Sequence, residues 1–201
     1  MNTLIFATGN KNKITEINEI FIRTYPDMEI VIKGLDVLNF KEEIPETTDT
    51  ISGNAIQKAT YIHERFKVNC FAEDTGLEIA FLEGKPGVHS ARYAGEQRSD
   101  DDNIDMVLDQ MSGTEDRTAR FKTVIALIYS GETYLFEGIC NGTISRERRG
   151  KGGFGYDPIF IPDGYKLSFG QMPTIEKNKI SHRNKALQKM LSFFKDKILV
   201  R

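Results

Sequence analysis

The stretch Leu4-Ile5-Phe6-Ala7-Thr8-Gly9-Asn10-Lys11-Asn12-Lys13 decides how the chain begins. A short apolar run ends in a glycine turn, and Ile14, Ile17 and Phe21 then recur at helical spacing. A strand that turns through glycine into a helix also makes an anion site. The first N–H groups of a helix lack intrahelical partners, and the helix dipole favours negative charge there. Lys13 falls in the first helical turn, within reach of a phosphate. The G-x-x-x-x-G-K-[ST] spacing of a Walker A loop is absent. Taken alone, the same residues also suit a plain strand–turn–helix junction with a surface lysine.

The first strand and helix span about 2–23, and Glu29 to Leu35 is β-rich. Lys41 to Thr50 is acidic, holds Pro45 and reads as a loop. Ile51, Ala55, Ala59, Ile62 and Phe66 recur at the period of an amphipathic helix. Cys70-Phe71-Ala72 and Leu77 to Leu82 read as two strands flanking Glu73-Asp74-Thr75-Gly76. Pro86-Gly87 opens a loop, and Ile104, Val107, Leu108 and Met111 mark a further helix. Thr118 to Tyr129 and Tyr134 to Ile144 read as a hairpin joined by Ser130-Gly131-Glu132. Leu187, Met190, Leu191, Phe194 and Ile198 mark the last helix, with Ser181 as its N-cap. Early alternation followed by an antiparallel pair predicts an α/β protein with a mixed sheet.

A length of 201 residues predicts one domain with room for two lobes. The net charge of -2 argues against a nucleic-acid binder, which carries a basic excess. No apolar run approaches the roughly 18 residues that span a bilayer. Met1-Asn2-Thr3 has no positive segment before its apolar run, so no secretory signal is expected. Cys70 and Cys140 lie in apolar strand-like runs, as buried free thiols of a reducing cytoplasm would. Two Cys and three scattered His make no zinc pattern.

Four clusters carry chemistry. The first is the Thr8–Lys13 corner. The second is Glu73-Asp74-Thr75-Gly76, whose carboxylates, placed at a strand end, suit a hard cation such as Mg²⁺. An ordinary acidic turn is the competing reading. Glu42, Glu43 and Glu46 are a further carboxylate supply, or simply a solvated loop. The third is Gly152-Gly153-Phe154-Gly155-Tyr156-Asp157-Pro158. Its glycines let the backbone approach a ligand, Phe154 offers a face for a base, and Asp157 can accept from a base or ribose. Alternatively, Phe154 belongs to the core. The neighbouring Arg146, Arg148 and Arg149 read as a solvated loop or as a few cations near a phosphate. The fourth is Lys177 to Arg183, cations at the start of the final helix. They oppose the dipole unless an anion or an electron-rich base compensates. His63 and His89 are read as structural.

These pieces, in this order, resemble the inosine/xanthosine triphosphate pyrophosphatase family, which clears non-canonical purine nucleotides. The resemblance runs nearly end to end. It rests on Thr8-Gly9-Asn10…Lys13, Asn54-Ala55…Lys58-Ala59, Asp74-Thr75-Gly76-Leu77 and Pro86-Gly87-Val88…Ser90-Ala91-Arg92-Tyr93. It continues through Gly152 to Phe160 and Glu176-Lys177…Ser181-His182-Arg183. The chain departs from the family at Gly53 (often Glu), at Asn184 (often Gly) and in the acidic loop. There Pro45-Glu46-Thr47-Thr48 replaces the usual Glu-Glu-Thr-Gly and makes Glu46 the acidic counterpart.

The resemblance implies an α/β fold with a long curved mixed β-sheet, flanking helices and two lobes around a central cleft, commonly as a homodimer. It implies Mg²⁺-dependent hydrolysis of a nucleoside triphosphate between the α and β phosphates. By position, Thr8, Asn10 and Lys13 hold the triphosphate, with Gly9, Lys11 and Asn12 between them in the substrate-binding turn. Asp74 binds metal and accepts the water proton, with Glu46 helping on the metal. Thr75 and Lys177 touch substrate, and Phe154, Gly155, Tyr156, Asp157, His182 and Arg183 hold the nucleoside. No Ser-His-Asp or Cys-His set points to a covalent intermediate. The partner is then a small-molecule nucleotide, with neither nucleic acid nor membrane. Two other readings stay open: a septum-formation-type nucleotide pyrophosphatase and a nucleotide sensor without turnover.

Overall fold

A computed structural model describes residues 2–24 and 30–198, with the side chains of 2, 11, 12, 16, 23, 24 and 198 outside the description. The chain opens with β1 (Asn2–Phe6), α1 (Lys11–Thr24) and β2 (Ile30–Lys33). It continues with α2 (Ile51–Phe66), β3 (Cys70–Ile79), α3 (Asp100–Gln110), β4 (Thr118–Tyr129) and β5 (Glu132–Ile144). It ends with β6 (Phe160–Pro162), α4 (Thr174–Ile180) and α5 (His182–Ile198). The strands form one six-stranded sheet in the order β2-β1-β3-β4-β5-β6. It is mixed, as expected: β1 runs parallel to β2 and β3, and β5 antiparallel to β6. Among the described residues no helix is long and apolar enough to cross a membrane.

Local chemistry accounts for several element ends. Asn10 Oδ1 accepts the Lys13 N–H at 3.4 Å, and the Thr50 hydroxyl accepts the Gly53 N–H at 2.9 Å. These side chains satisfy donors that open helix ends leave over. Ser181 Oγ caps α5 in the same way, taking the Asn184 N–H at 3.1 Å. The β4–β5 hairpin turns on Ser130 and Gly131, with φ of 52° and 83°. Two positive φ values in a two-residue loop are what a right-twisted hairpin requires.

Two compact units divide the chain. The first comprises Met1–Asp74, Val124–Glu137 and Ala186–Arg201, and its core includes Leu4, Phe6, Ile17, Phe71, Leu127 and Leu187. Phe6 and Phe71 stack there with ring centres 4.4 Å apart. The second comprises Thr75–Thr123 and Gly138–Lys185, with a core that includes Leu77, Ile79, Ile104, Val107, Phe121 and Phe160.

Three expectations need correction. Residues 70–72 and 77–82 are not two strands around an acidic turn. β3 runs unbroken through Glu73 and Asp74, so these carboxylates lie inside a strand, and Ala80–Leu82 is a 3₁₀ turn. Both carboxylates have lysine partners, which offsets the cost that would otherwise break the strand. Lys177 and Lys179 do not open the final helix. They sit in the last turn of α4, where the dipole favours cations, and only His182 and Arg183 open α5.

Candidate active site

In the first unit the acidic pair of β3 is split between two helices. Glu73 Oε1 lies 3.1 Å from Lys13 Nζ of α1, and Asp74 Oδ1 lies 2.9 Å from Lys58 Nζ of α2. Glu73 is fully buried, and Asp74 is 9% exposed. The Lys58 ammonium also donates to Glu46 Oε1 at 2.5 Å, so one cation draws two carboxylates together. Asn54, one turn before Lys58, places Nδ2 3.5 Å from Asp74 Oδ2.

The loop that carries Glu46 lies antiparallel along α2. Arg65 donates to both oxygens of Glu42 at 2.7 Å. Gln57 exchanges two hydrogen bonds with Thr47, and Asn54 Oδ1 accepts from the Thr48 N–H at 3.0 Å and its hydroxyl at 2.8 Å. With the Thr50 cap, these contacts position a segment that has no backbone ladder of its own. Glu42 is therefore engaged by exposed Arg65 and Glu73 by Lys13, whereas Glu46 joins Asp74.

Burial raises the Asp74 carboxyl above its ordinary 3.8; Lys58 opposes this and the Glu46 charge adds to it. Burial pulls Lys58 down, but Asp74 and Glu46 outweigh it and the net shift is upward. Among the described residues no three His, Cys, Asp or Glu side chains gather as a closed metal cage. Two carboxylates converging on a stand-in ammonium suit a hard divalent ion that keeps water and phosphate oxygens as its other ligands.

Thr8, Gly9 and Asn10 form the turn before α1, and the Thr8 hydroxyl accepts the Asn10 N–H at 3.2 Å. Lys13 is in the first turn of α1; the side chains of Lys11 and Asn12 lie outside the described residues.

In the second unit a cation–aromatic cluster forms around Phe154. Lys177 Nζ stands 4.8 Å from the ring centre and Arg183 Cζ 5.3 Å from it. Both contacts are within cation–π range. Lys177 Nζ donates to Asp157 Oδ2 at 2.6 Å, and the same oxygen accepts the Phe154 N–H at 2.9 Å. Gly153 makes this turn possible: its φ is +76°, and a Cβ there would run into the Asp157 carboxylate. Burial raises the Asp157 carboxyl, against the pull of Lys177. The His182 ring stacks on Phe121 at 4.6 Å, and Arg183 is 1% exposed.

Not every expected residue joins this cluster. Tyr156 is buried in the core and donates its hydroxyl to the Ser90 carbonyl at 2.8 Å. The Gly155 N–H donates to Asp100 at 2.7 Å, and the Thr75 hydroxyl meets that of Thr123 at 2.7 Å. Arg146 pairs with Glu115, and Arg148 with Asp101 and Asp105, as expected of a solvated loop.

Asn54 and Lys58 received no role from the sequence. Their signal was present: both fall on the stripe of Ile51, Ala55, Ala59 and Ile62, and all six residues are buried. A lysine on the apolar face of a helix needs a buried partner.

The family model described as the Ham1 family matches residues 4–193. The chain belongs to the Ham1 family. A dITP/XTP pyrophosphatase from Flavobacterium psychrophilum is 48% identical over 193 residues, covering 96% of this chain and 99% of that one. The dITP/XTP pyrophosphatase of Bacillus subtilis is 44% identical, over 94% and 96% of the two chains. Among solved structures, a HAM1 protein from Coxiella burnetii superposes with a TM-score of 0.90 at 35% identity, covering 98% of this Ham1-family chain and all of that one. The Staphylococcus aureus Ham1 protein gives 0.87 at 35% identity, over 97% and 99%.

Proposed function

We propose that this Ham1-family chain hydrolyses non-canonical purine nucleoside triphosphates (ITP, dITP and XTP) between the α and β phosphates, releasing a nucleoside monophosphate and pyrophosphate. The observation that carries this reading is the convergence of Asp74 and Glu46 on one buried cation. It occurs in a chain 48% identical to a dITP/XTP pyrophosphatase. Asp74 and Glu46 would hold Mg²⁺, which when bound screens the triphosphate and acidifies water. Asp74, raised by burial, takes the proton of the attacking water. Lys13, in the first turn of α1 where the helix dipole favours negative charge, binds phosphate oxygens. Thr8, Gly9, Asn10, Lys11 and Asn12 complete that corner, and Thr75 touches substrate.

In the second unit, Phe154 stacks on the base, and Arg183 and His182 donate to its 6-oxo group. Lys177 is held beside Phe154 by Asp157. Residues 1–201 act as one pyrophosphatase domain, as a cytoplasmic homodimer that needs neither nucleic acid nor membrane.

A panel of nucleoside triphosphates scored for pyrophosphate, with Mg²⁺ and with EDTA, tests the reading. Release from ITP and XTP far above ATP, and only with metal, is expected. Equal release from pyrimidine or methylated nucleotides would favour the septum-formation type instead. Binding with no release would leave a sensor.

A further inference from the structure

We propose that Lys58 is a positioning residue that acts as a resident cation: its ammonium holds Asp74 and Glu46 together, and a divalent ion taking these carboxylates must displace it. The inference rests on the reading of that pair as the metal site.

Lys58 is 7% exposed, and a buried ammonium is costly unless paired. Here it has two carboxylates, at 2.9 Å and 2.5 Å. They come from different elements, Asp74 from β3 and Glu46 from the loop along α2. Without a cation at that point, two negative groups from separate segments would repel, and the loop would lose one of its ties to α2. Lys58 therefore presets the carboxylates. It also competes with any metal, because a divalent ion draws oxygens to about 2.1 Å and cannot share the point with a second cation. A neutral side chain of similar length removes the competitor and, with it, the Lys58 charge that offsets the repulsion between the two carboxylates. Both changes favour metal binding, on the scale that one unit charge exerts at contact distance.

Mn²⁺ binding to the full chain, followed through the free-ion electron paramagnetic resonance signal, tests this without turnover. Lys58→Met and Lys58→Gln are measured beside wild type, so that the loss of one variant to misfolding does not end the test. Both should bind Mn²⁺ about tenfold tighter than wild type or more. Their melting temperatures in EDTA should fall, and Mn²⁺ should raise them further than it raises wild type. Lys58→Arg keeps the charge and should stay near wild type. Equal or weaker Mn²⁺ binding in both neutral variants overturns the proposal. The metal reading is checked separately by the double variant Glu46→Gln, Asp74→Asn: wild-type Mn²⁺ affinity there would place the metal elsewhere.

Discussion

Glu73 and Asp74 are neighbours in one strand, yet each meets a lysine from a different helix: Lys13 of α1 for Glu73, and Lys58 of α2 for Asp74. Successive strand side chains point to opposite faces. The acidic dipeptide therefore serves two purposes, one carboxylate pairing with Lys13 in the first turn of α1 and the other converging with Glu46 on Lys58.

Lys13 should show a double role. Lys13→Ala deprives the fully buried Glu73 of its ion pair and is expected to cost about 1–3 kcal/mol of stability as well as phosphate affinity. Adding Glu73→Gln should restore much of the stability and none of the activity. Urea denaturation and steady-state kinetics on both variants check this; recovery of activity in the double variant would show that Lys13 serves only the fold.

Asp74→Asn should lower turnover roughly 10²-fold or more, the scale of a general base. Its carboxyl, raised by burial, should titrate above 3.8 in the metal-free protein, as read by carbon NMR of the side chain. Glu46→Gln removes a charge that raises it, so the midpoint should move down. The folded state holds this proton more tightly than the unfolded one. The stability that Asp74 contributes is thus fully present below 3.8 and is lost as pH rises through the folded midpoint. A midpoint unmoved by Glu46→Gln would mean that the two carboxyls are not coupled.

Asn54 joins the Thr48 backbone and hydroxyl to the Asp74 carboxylate. Asn54→Ala is expected to cost about 1–3 kcal/mol and to raise the Mg²⁺ concentration needed for half-maximal activity. Thermal melts and a Mg²⁺ titration of the rate read the two effects. A destabilised protein with unchanged Mg²⁺ demand would confine Asn54 to the fold.

Under the proposed function, base selectivity falls to Arg183 with His182. Arginine only donates, so a 6-oxo group satisfies it and the 6-amino group of adenine does not. Arg183 is 1% exposed, and truncation to Ala would damage the fold. Arg183→Lys keeps the charge and loses the planar fork. The preference for ITP over ATP in kcat/KM should drop by about tenfold or more. Phe154→Ala should instead weaken both nucleotides together, by about 1–3 kcal/mol for a lost stack. Equal losses on ITP and ATP in Arg183→Lys would remove Arg183 from base reading.

The sequence by itself determined what depends on near neighbours. Apolar spacing marked α1, α2, α3 and α5, Ser181 marked a cap, and Ser130-Gly131 marked the hairpin turn. Periodicity and capping are properties of a few adjacent residues, so they are legible without a fold. Tertiary structure decided the rest. Low strand propensity suggested a break at Glu73-Asp74, but lysines 60 and 16 positions away make the carboxylates tolerable inside β3. The choice of Glu46 over Glu42 depends on which helical cation each loop residue meets, Lys58 or Arg65. Asp157 holds Lys177, 20 residues away, a partner that its own glycine-rich segment does not announce. Ion pairs act through space, and no local pattern records which distant charge will share a buried position.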